Sequence, residues 1–330
     1  MNAIDISQLT KIYGGGIKAL DAVDFSVEEG EIFGLLGPNG AGKTTAIKII
    51  TTLIKQTSGT ASVFGVDVER FPQEVRQMLG YVPQAISVDG DLTGYENLLI
   101  FSKLFYVTRK ERKERIADAL DFMGLSDRAN DLVKHYSGGM MRRLEIAQAL
   151  VNRPRILFLD EPSIGLDPFS KRQVGEHIRE LNEEFKITVL LTTHDMSEAD
   201  ELCDRVAIMN AGKVSIIDTP TRLKESVGGD VITVTLGRGA AGPSAPPIPE
   251  ELGRVMSFQD GVLKILAQNG EEKIPRITGL LSRLDLSVDS ISLAKPTLED
   301  VFVKYAKAPQ EASGFVAARS ERRNLTRRTR

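Results

Sequence analysis

Cysteine is almost missing from this 330-residue sequence: Cys203 is the only one, which excludes an intrachain disulfide and fits a reducing compartment. Long apolar runs are missing too. No stretch approaches the roughly 18–20 consecutive apolar residues that cross a bilayer, so a membrane role would need another chain to do the spanning. The opening MNAIDISQLTKIYGGG carries Asp5 and has no long apolar core, which argues against a signal peptide. A surplus of charge of one sign is also absent. Lys and Arg number 42 and Asp and Glu 45, leaving a net charge of −3, so no global basic field points to nucleic acid. No short-period repeat is visible. What remains is ordinary for a soluble globular chain, with 42 % hydrophobic and 26 % charged residues. The length allows a large core and two domains.

Three textures follow one another. Up to about residue 225 the chain alternates strand and helix signals. EIFGLL (Glu31–Leu36) reads as a buried strand, followed by a Gly-rich turn and a helix over KTTAIKIITTLI. RILFLD (Arg155–Asp160) and ITVLLTT (Ile187–Thr193) are continuous apolar runs, as strands covered on both faces should be. Helices between them imply an α/β fold with a largely parallel sheet core. Asp91 to Lys134 is instead helical and richly charged. Thr93 with Glu96, and Thr108 with Glu111, have capping-box spacing, and Gly124 is a plausible stop. With the helix that follows, an inserted helical subdomain is expected over about 91–150.

After Ser226 the strands DVITVTL, GVLKILA and LSVDSISLA, with helices over IPRITGLLSRL and TLEDVFVKYA, suggest a small C-terminal α/β domain over 226–308. Thr297 is the expected cap of the last helix. GRGAAGPSAPPIP between the first two strands reads as a loop. Residues 309–330 form an Arg-rich tail with the composition of a disordered segment.

GPNGAGKTT (Gly37, Pro38, Asn39, Gly40, Ala41, Gly42, Lys43, Thr44, Thr45) satisfies G-x-x-x-x-G-K-[ST], with a strand before and a helix after. Its glycines let backbone N–H groups converge on phosphates. Lys43 can reach the β- and γ-phosphates, and Thr44 offers a hydroxyl to Mg2+. RILFLDEP ends a buried strand in Asp160, a carboxylate able to hold Mg2+ through water. Glu161 follows at once, able to orient and deprotonate an attacking water. These features indicate a P-loop NTPase. HYSGGMMRRLEIAQAL adds a second anion site, because Ser137, Gly138 and Gly139 open a helix and bare amides there favour negative charge.

Taken in order, GPNGAGKTT, YVPQ, YSGGM, ILFLDEPSIGLD and LLTTHD resemble the nucleotide-binding subunit of ABC transporters over roughly residues 3–220. The resemblance implies an ABC cassette over residues 1–225 that binds ATP with Mg2+ and hydrolyses it. It implies that Tyr13 stacks on adenine, that Gln84 contacts Mg2+ and water and senses the membrane partner, and that His194 contacts the γ-phosphate. It places Asp167 in the loop crossing a dimer interface; a plain capping aspartate is the alternative. His135 and His177 are taken as structural. YSGGM corresponds to the family's signature motif, usually LSGGQ, with Tyr136 for Leu and Met140 for Gln. By resemblance Ser137, Gly138 and Gly139 touch the γ-phosphate held by a second subunit, so two ATPs are sandwiched in a homodimer.

The ending PTLEDVFVKYA looks like that of the daunorubicin-resistance type of exporter ATPase. The implied function is ATP-driven export of a drug or hydrophobic compound through a separate integral membrane permease, at the cytoplasmic face of the cell membrane. An importer ATPase subunit and a non-transport soluble ABC ATPase remain as alternatives. No nucleic-acid partner is expected, because the chain has one P-loop and no coiled-coil insertion.

Overall fold

The computed structural model describes residues 1–237 and 245–306. The Arg-rich tail, and most of the Gly/Pro-rich loop from Gly237 to Pro249, lie outside the described residues.

The chain opens with an antiparallel hairpin, β1 (Asn2–Ile12) and β2 (Lys18–Glu28), before the buried strand β3 (Ile32–Leu36) and helix α1 (Lys43–Ile50). Strands β4 (Ser58–Val63) and β5 (Val66–Asp67) return to the hairpin and complete a sheet of order β2-β1-β4-β5. Helix α2 (Pro72–Met78) leads to β6 (Leu79–Val82). Then come three helices, α3 (Gly94–Leu104), α4 (Arg109–Phe122) and α5 (Gly138–Leu150). The chain next alternates β7 (Ile156–Asp160), α6 (Pro168–Phe185), β8 (Thr188–Thr193), α7 (Met196–Leu202) and β9 (Arg205–Asn210). An antiparallel edge strand, β10 (Lys213–Asp218), and helix α8 (Pro220–Val227) follow.

The central sheet has order β10-β9-β3-β8-β7-β6, parallel except at β10. Its middle strands are buried throughout because both faces are covered. Phe33, Leu35, Ile156, Phe158 and Leu190 point into a core shared with the antiparallel sheet and α1. Ile32, Leu36, Leu157, Leu159, Val189 and Leu191 point into a core shared with the helices. Each such side chain, fully buried, contributes about 1.5–3 kcal/mol. Cys203 lies in this second core, against the space Gly34 leaves.

The helical segment follows its capping signals. Thr93 and Glu96 form a reciprocal capping box on α3, and Thr108 accepts from the Glu111 N–H on α4. Gly124, in the left-handed region at φ +61°, ends α4: its N–H reaches the Asp121 carbonyl, and that of Leu125 reaches the Leu120 carbonyl. Helix α1 is shorter than the expected KTTAIKIITTLI. Thr52 turns left-handed at φ +64°, and its N–H and that of Leu53 return to Ile49 and Lys48, closing the helix at Ile50.

Beyond α8, β11 (Asp230–Leu236), β12 (Arg254–Gln259), β13 (Val262–Ala267) and β14 (Val288–Ala294) form an antiparallel sheet of order β12-β13-β11-β14. It is covered by α9 (Gly270–Arg283), which begins a turn before the expected start. The last helix, α10 (Leu298–Ala306), is capped by Thr297, which exchanges hydrogen bonds with Asp300. Its Leu298 and Val301 enter the helical-side core beside Leu223 and Val227, so this helix packs on the first part of the chain.

Candidate active site

The parallel strands deliver four loops to one edge of the sheet. Leu36 is level with Thr193, Asp160 with Thr192, and Val82 with Leu159. The segments leaving β3, β6, β7 and β8 therefore emerge side by side, where α/β sheets place their ligands. Those segments carry Gly37–Gly42, Gln84, Glu161 and His194.

The loop after β3 curls tightly. A Cβ on Gly37 would collide with the Met209 carbonyl oxygen. Gly42 takes φ +105°, and a Cβ there would come within 2.5 Å of the Ala19 carbonyl oxygen. Glycine at both positions brings the backbone against β9 and β2. Gly42 caps α1 without any side-chain hydrogen bond, so no side chain takes up the first-turn amides and the positive end of the helix dipole. Pro38, Asn39 and Gly40 are exposed at the rim; Ala41 is buried, and Thr45 is half-buried on α1.

Lys43 is 5 % exposed, and its Nζ donates to the Gly37 carbonyl at 2.6 Å and pairs with Glu161 Oε1 at 3.1 Å. The other Glu161 oxygen, Oε2, lies 2.7 Å from His194 Nδ1. Thr44 Oγ1 donates to Asp160 Oδ1 at 3.0 Å, and Thr192 Oγ1 donates to the same oxygen at 2.6 Å. Glu161 has left-handed backbone at φ +54°, a conformation costing a non-glycine residue on the order of 1–2 kcal/mol. Its N–H is held by both the carbonyl and the hydroxyl of Thr192, at 3.1 and 3.0 Å.

Lys43, Thr44, Asp160, Glu161 and His194 thus form one connected constellation. Gln84 joins it through its backbone. Arg142 Nη2 donates to the Gln84 carbonyl at 3.1 Å and to that of Glu161 at 3.4 Å, while the Gln84 residue is exposed. Tyr13 stands 40 % exposed at the turn between β1 and β2, with Lys11 Nζ 5.2 Å from its ring centroid.

Ser137, Gly138 and Gly139 form a second cluster. Ser137 Oγ caps α5 by accepting from the Met140 N–H at 3.2 Å. Gly138 and Gly139 lie against Leu166 and Ser170. Among the described residues no hydrogen bond or ion pair joins these three to residues 37–45. Asp167 caps α6, accepting from the Phe169 and Ser170 N–H groups at 3.0 Å and the Ser170 hydroxyl at 2.6 Å. The Ser170 hydroxyl above all holds its carboxyl below the usual range.

The sequence motifs do not single out Thr192, Arg142 or Glu145. The last two left a signal: an Arg and a Glu three residues apart on the helix face that also carries buried Ile146 and Ala149.

The ABC transporter family model matches residues 20–164. The daunorubicin/doxorubicin resistance ATP-binding protein of Streptomyces peucetius is 40 % identical over 311 residues, covering 94 % of each chain. The Nod factor export ATP-binding protein I of Sinorhizobium fredii is 41 % identical over 233 residues, 70 % of this chain and 67 % of that one. A solved ATP-binding cassette, dimeric in a post-hydrolysis state with ADP and Pi, superposes with a TM-score of 0.60 at 30 % identity, covering 66 % of this chain and 98 % of that one. The glycine-rich loop backed by Asp160 and Glu161, together with these relatives, places the chain among the ABC transporter ATP-binding proteins, ATP hydrolases, in their daunorubicin-resistance type.

Proposed function

We propose that this chain hydrolyses ATP in a nucleotide-sandwich homodimer and so drives export of a drug or hydrophobic compound through a separate integral membrane permease. The observation carrying the hydrolytic reading is the chain of contacts from Lys43 through Glu161 to His194. The ammonium and the carboxylate face each other inside the cradle. A triphosphate entering it competes with Glu161 for Lys43, and the base is released where the terminal phosphate lies. His194, on the other carboxylate oxygen, keeps Glu161 aimed while it takes the proton of the attacking water and then contacts the γ-phosphate. Such general-base help is worth about 10²–10⁴-fold. Tyr13 offers its exposed ring to the adenine.

Among the described residues no group of three or more His, Cys, Asp or Glu could hold a metal by itself. A hydroxyl and one carboxylate are instead what suits Mg2+, which keeps its waters and takes substrate phosphate oxygens. Thr44 and Asp160, with the Gln84 side chain, would hold it, and when bound it neutralises charge on the phosphates.

Two observations support the dimer. Ser137–Gly139 and Asp167 cluster apart from the cradle of their own chain, and a cassette of similar fold is a dimer. Export is supported by relatives named for drug resistance and for Nod factor export. No helix among the described residues is long and apolar enough to span a bilayer. The permease would therefore hold the chain at the cytoplasmic face, with Gln84 and the helices of residues 91–150 receiving it. We assign residues 1–225 to the cassette and 226–308 to an accessory unit docked through α10.

Glu161→Gln tests this. ATP binding should persist, hydrolysis should be nearly abolished, and a dimer should appear in size-exclusion chromatography only with ATP. A variant that stays monomeric and turns over normally would refute the assignment.

A further inference from the structure

We infer that Arg142, held by Glu145, is a positioning residue that ties the signature helix α5 to both the Gln84 segment and Glu161. This goes beyond the roles above and rests on the reading of Gln84 and Glu161 as hydrolysis residues.

The pair is almost completely enclosed, Arg142 being 3 % and Glu145 2 % exposed. Arg142 Nη1 donates to the Pro83 carbonyl at 2.8 Å and to Glu145 Oε2 at 2.9 Å. Its Nη2 donates to the carbonyls of Gln84 and Glu161 at 3.1 and 3.4 Å. The free oxygen of Glu145 accepts from Ser87, from the N–H at 2.5 Å and the hydroxyl at 2.8 Å. One guanidinium on α5 thus holds three carbonyls on the segments leaving β6 and β7, and its counter-ion pins the far end of the first.

Three physical points make this more than packing. The fork of the guanidinium is planar and rigid, so the relative position of its acceptors is set within narrow limits. A buried ion pair adds little net stability, because desolvation offsets most of the attraction, and apolar replacements are often neutral or better. What this pair supplies is register. Glu161 holds a strained left-handed backbone that persists only when its surroundings over-determine it. Thr192 fixes its N–H and Arg142 its carbonyl. Finally, Arg142 lies five residues beyond Ser137, on the same continuous helix. A displacement of the phosphate-facing end of α5 is therefore felt at Gln84 and Glu161 as a rigid-body shift.

The test replaces the pair together, Arg142→Met with Glu145→Met, in the full-length protein. Thermal unfolding, ATP affinity by calorimetry, KM and kcat are then measured. The expected result is a folded protein whose melting temperature is lowered, because three carbonyls and the Ser87 N–H lose their partners, with ATP affinity close to wild type below that temperature and kcat lower on the order of 100-fold, the cost of misplacing a reacting group by about 1 Å. Unchanged kcat in the folded double variant overturns the inference. Should that variant fail to fold, Arg142→Lys keeps the charge but loses the fork. It should also lose kcat while the protein stays folded, and wild-type turnover there overturns the inference equally. A cycle with Gln84→Ala separates positioning from bulk damage. Losses that act through the Gln84 segment are not additive, whereas fully additive losses count against the proposal. Glu161→Gln is run in parallel: if it hydrolyses ATP normally, the hydrolytic reading fails. If it is dead while the Arg142 variants turn over normally, only the present inference fails.

Discussion

Tyr136, which departs from the usual leucine of the signature motif, is held by its hydroxyl. The side chain is 6 % exposed, and its Oη donates to the Arg128 carbonyl at 2.6 Å. Gly94 leaves the room: a Cβ there would lie 2.5 Å from the hydroxyl. The phenol therefore fastens the start of α5 to the start of α3 and to the turn after α4. Burial, the largest influence, pushes its pKa upward, so it remains a donor at neutral pH. Tyr136→Phe strands a carbonyl partner and should cost on the order of 1 kcal/mol. Thermal unfolding should register that as a drop of about 2–4 °C, with hydrolysis retained because Ser137 and the glycines are untouched. An unchanged melting temperature would show that the bond contributes nothing. Met140 is half-buried against the helical core, and nothing in the structure explains methionine rather than glutamine there. At this scale the sequence pointed to candidate residues, but not to their partners. His194 was expected at the γ-phosphate, and its contact with Glu161 was not foreseen.

Helix α7 begins two residues after His194, and its first turn and cap carry two acids of opposite behaviour. Asp195 caps it, accepting from the Ser197 and Glu198 N–H groups, and receives Lys171 Nζ of α6 at 2.7 Å. The Lys171 hydrogen bond chiefly holds its carboxyl below the usual range. That stabilisation is present above the unfolded value of about 3.9 and is lost as pH falls through the folded one. Glu198 is shifted the other way, by burial first, and its Oε2 has no hydrogen-bond partner. Between the unfolded value of about 4.3 and the raised folded value the native state binds more protons, so stability falls as pH rises through that window. Glu198→Gln should therefore raise the melting temperature at neutral pH by on the order of 2 °C. The gap to wild type should close on acidification. A variant less stable than wild type at neutral pH would contradict this account. Elements with local signals were legible: Thr93, Thr108 and Thr297 all cap helices as their spacing implied. Elements made by pairing were not. RVMSFQ lacks a clean alternation and becomes β12 only because β13 lies beside it. The early end of α1 depends on a left-handed threonine, a conformation unusual for a β-branched residue.

For the whole molecule the decisive arrangement is two separate clusters on one chain, the glycine-rich loop around Lys43 and the Ser137 cluster. If each is completed by a second copy, Ser137→Arg should abolish hydrolysis while leaving ATP binding by the monomer intact. Mixing it with Lys43→Ala should then restore turnover, because the mixed dimer contains one site with both halves intact. Turnover in the mixture no greater than the sum of the separate variants would argue against completion in trans. The C-terminal unit has its own core around Ile232, Ile265 and Ile277, yet α10 is committed to the helical-side core. The sequence by itself determined the phosphate chemistry and the α/β class. The cradle is one contiguous stretch, and the buried strands announce themselves as unbroken apolar runs. Only the tertiary structure decided which carboxylate meets Lys43 and His194, that Asp167 caps a helix in its own chain, and that Arg142 holds three carbonyls. The physical reason is distance along the chain. His194 and Glu161 are 33 residues apart, and Arg142 and Pro83 are 59 apart. Such contacts are set by strand order and parallel register, which no local spacing encodes.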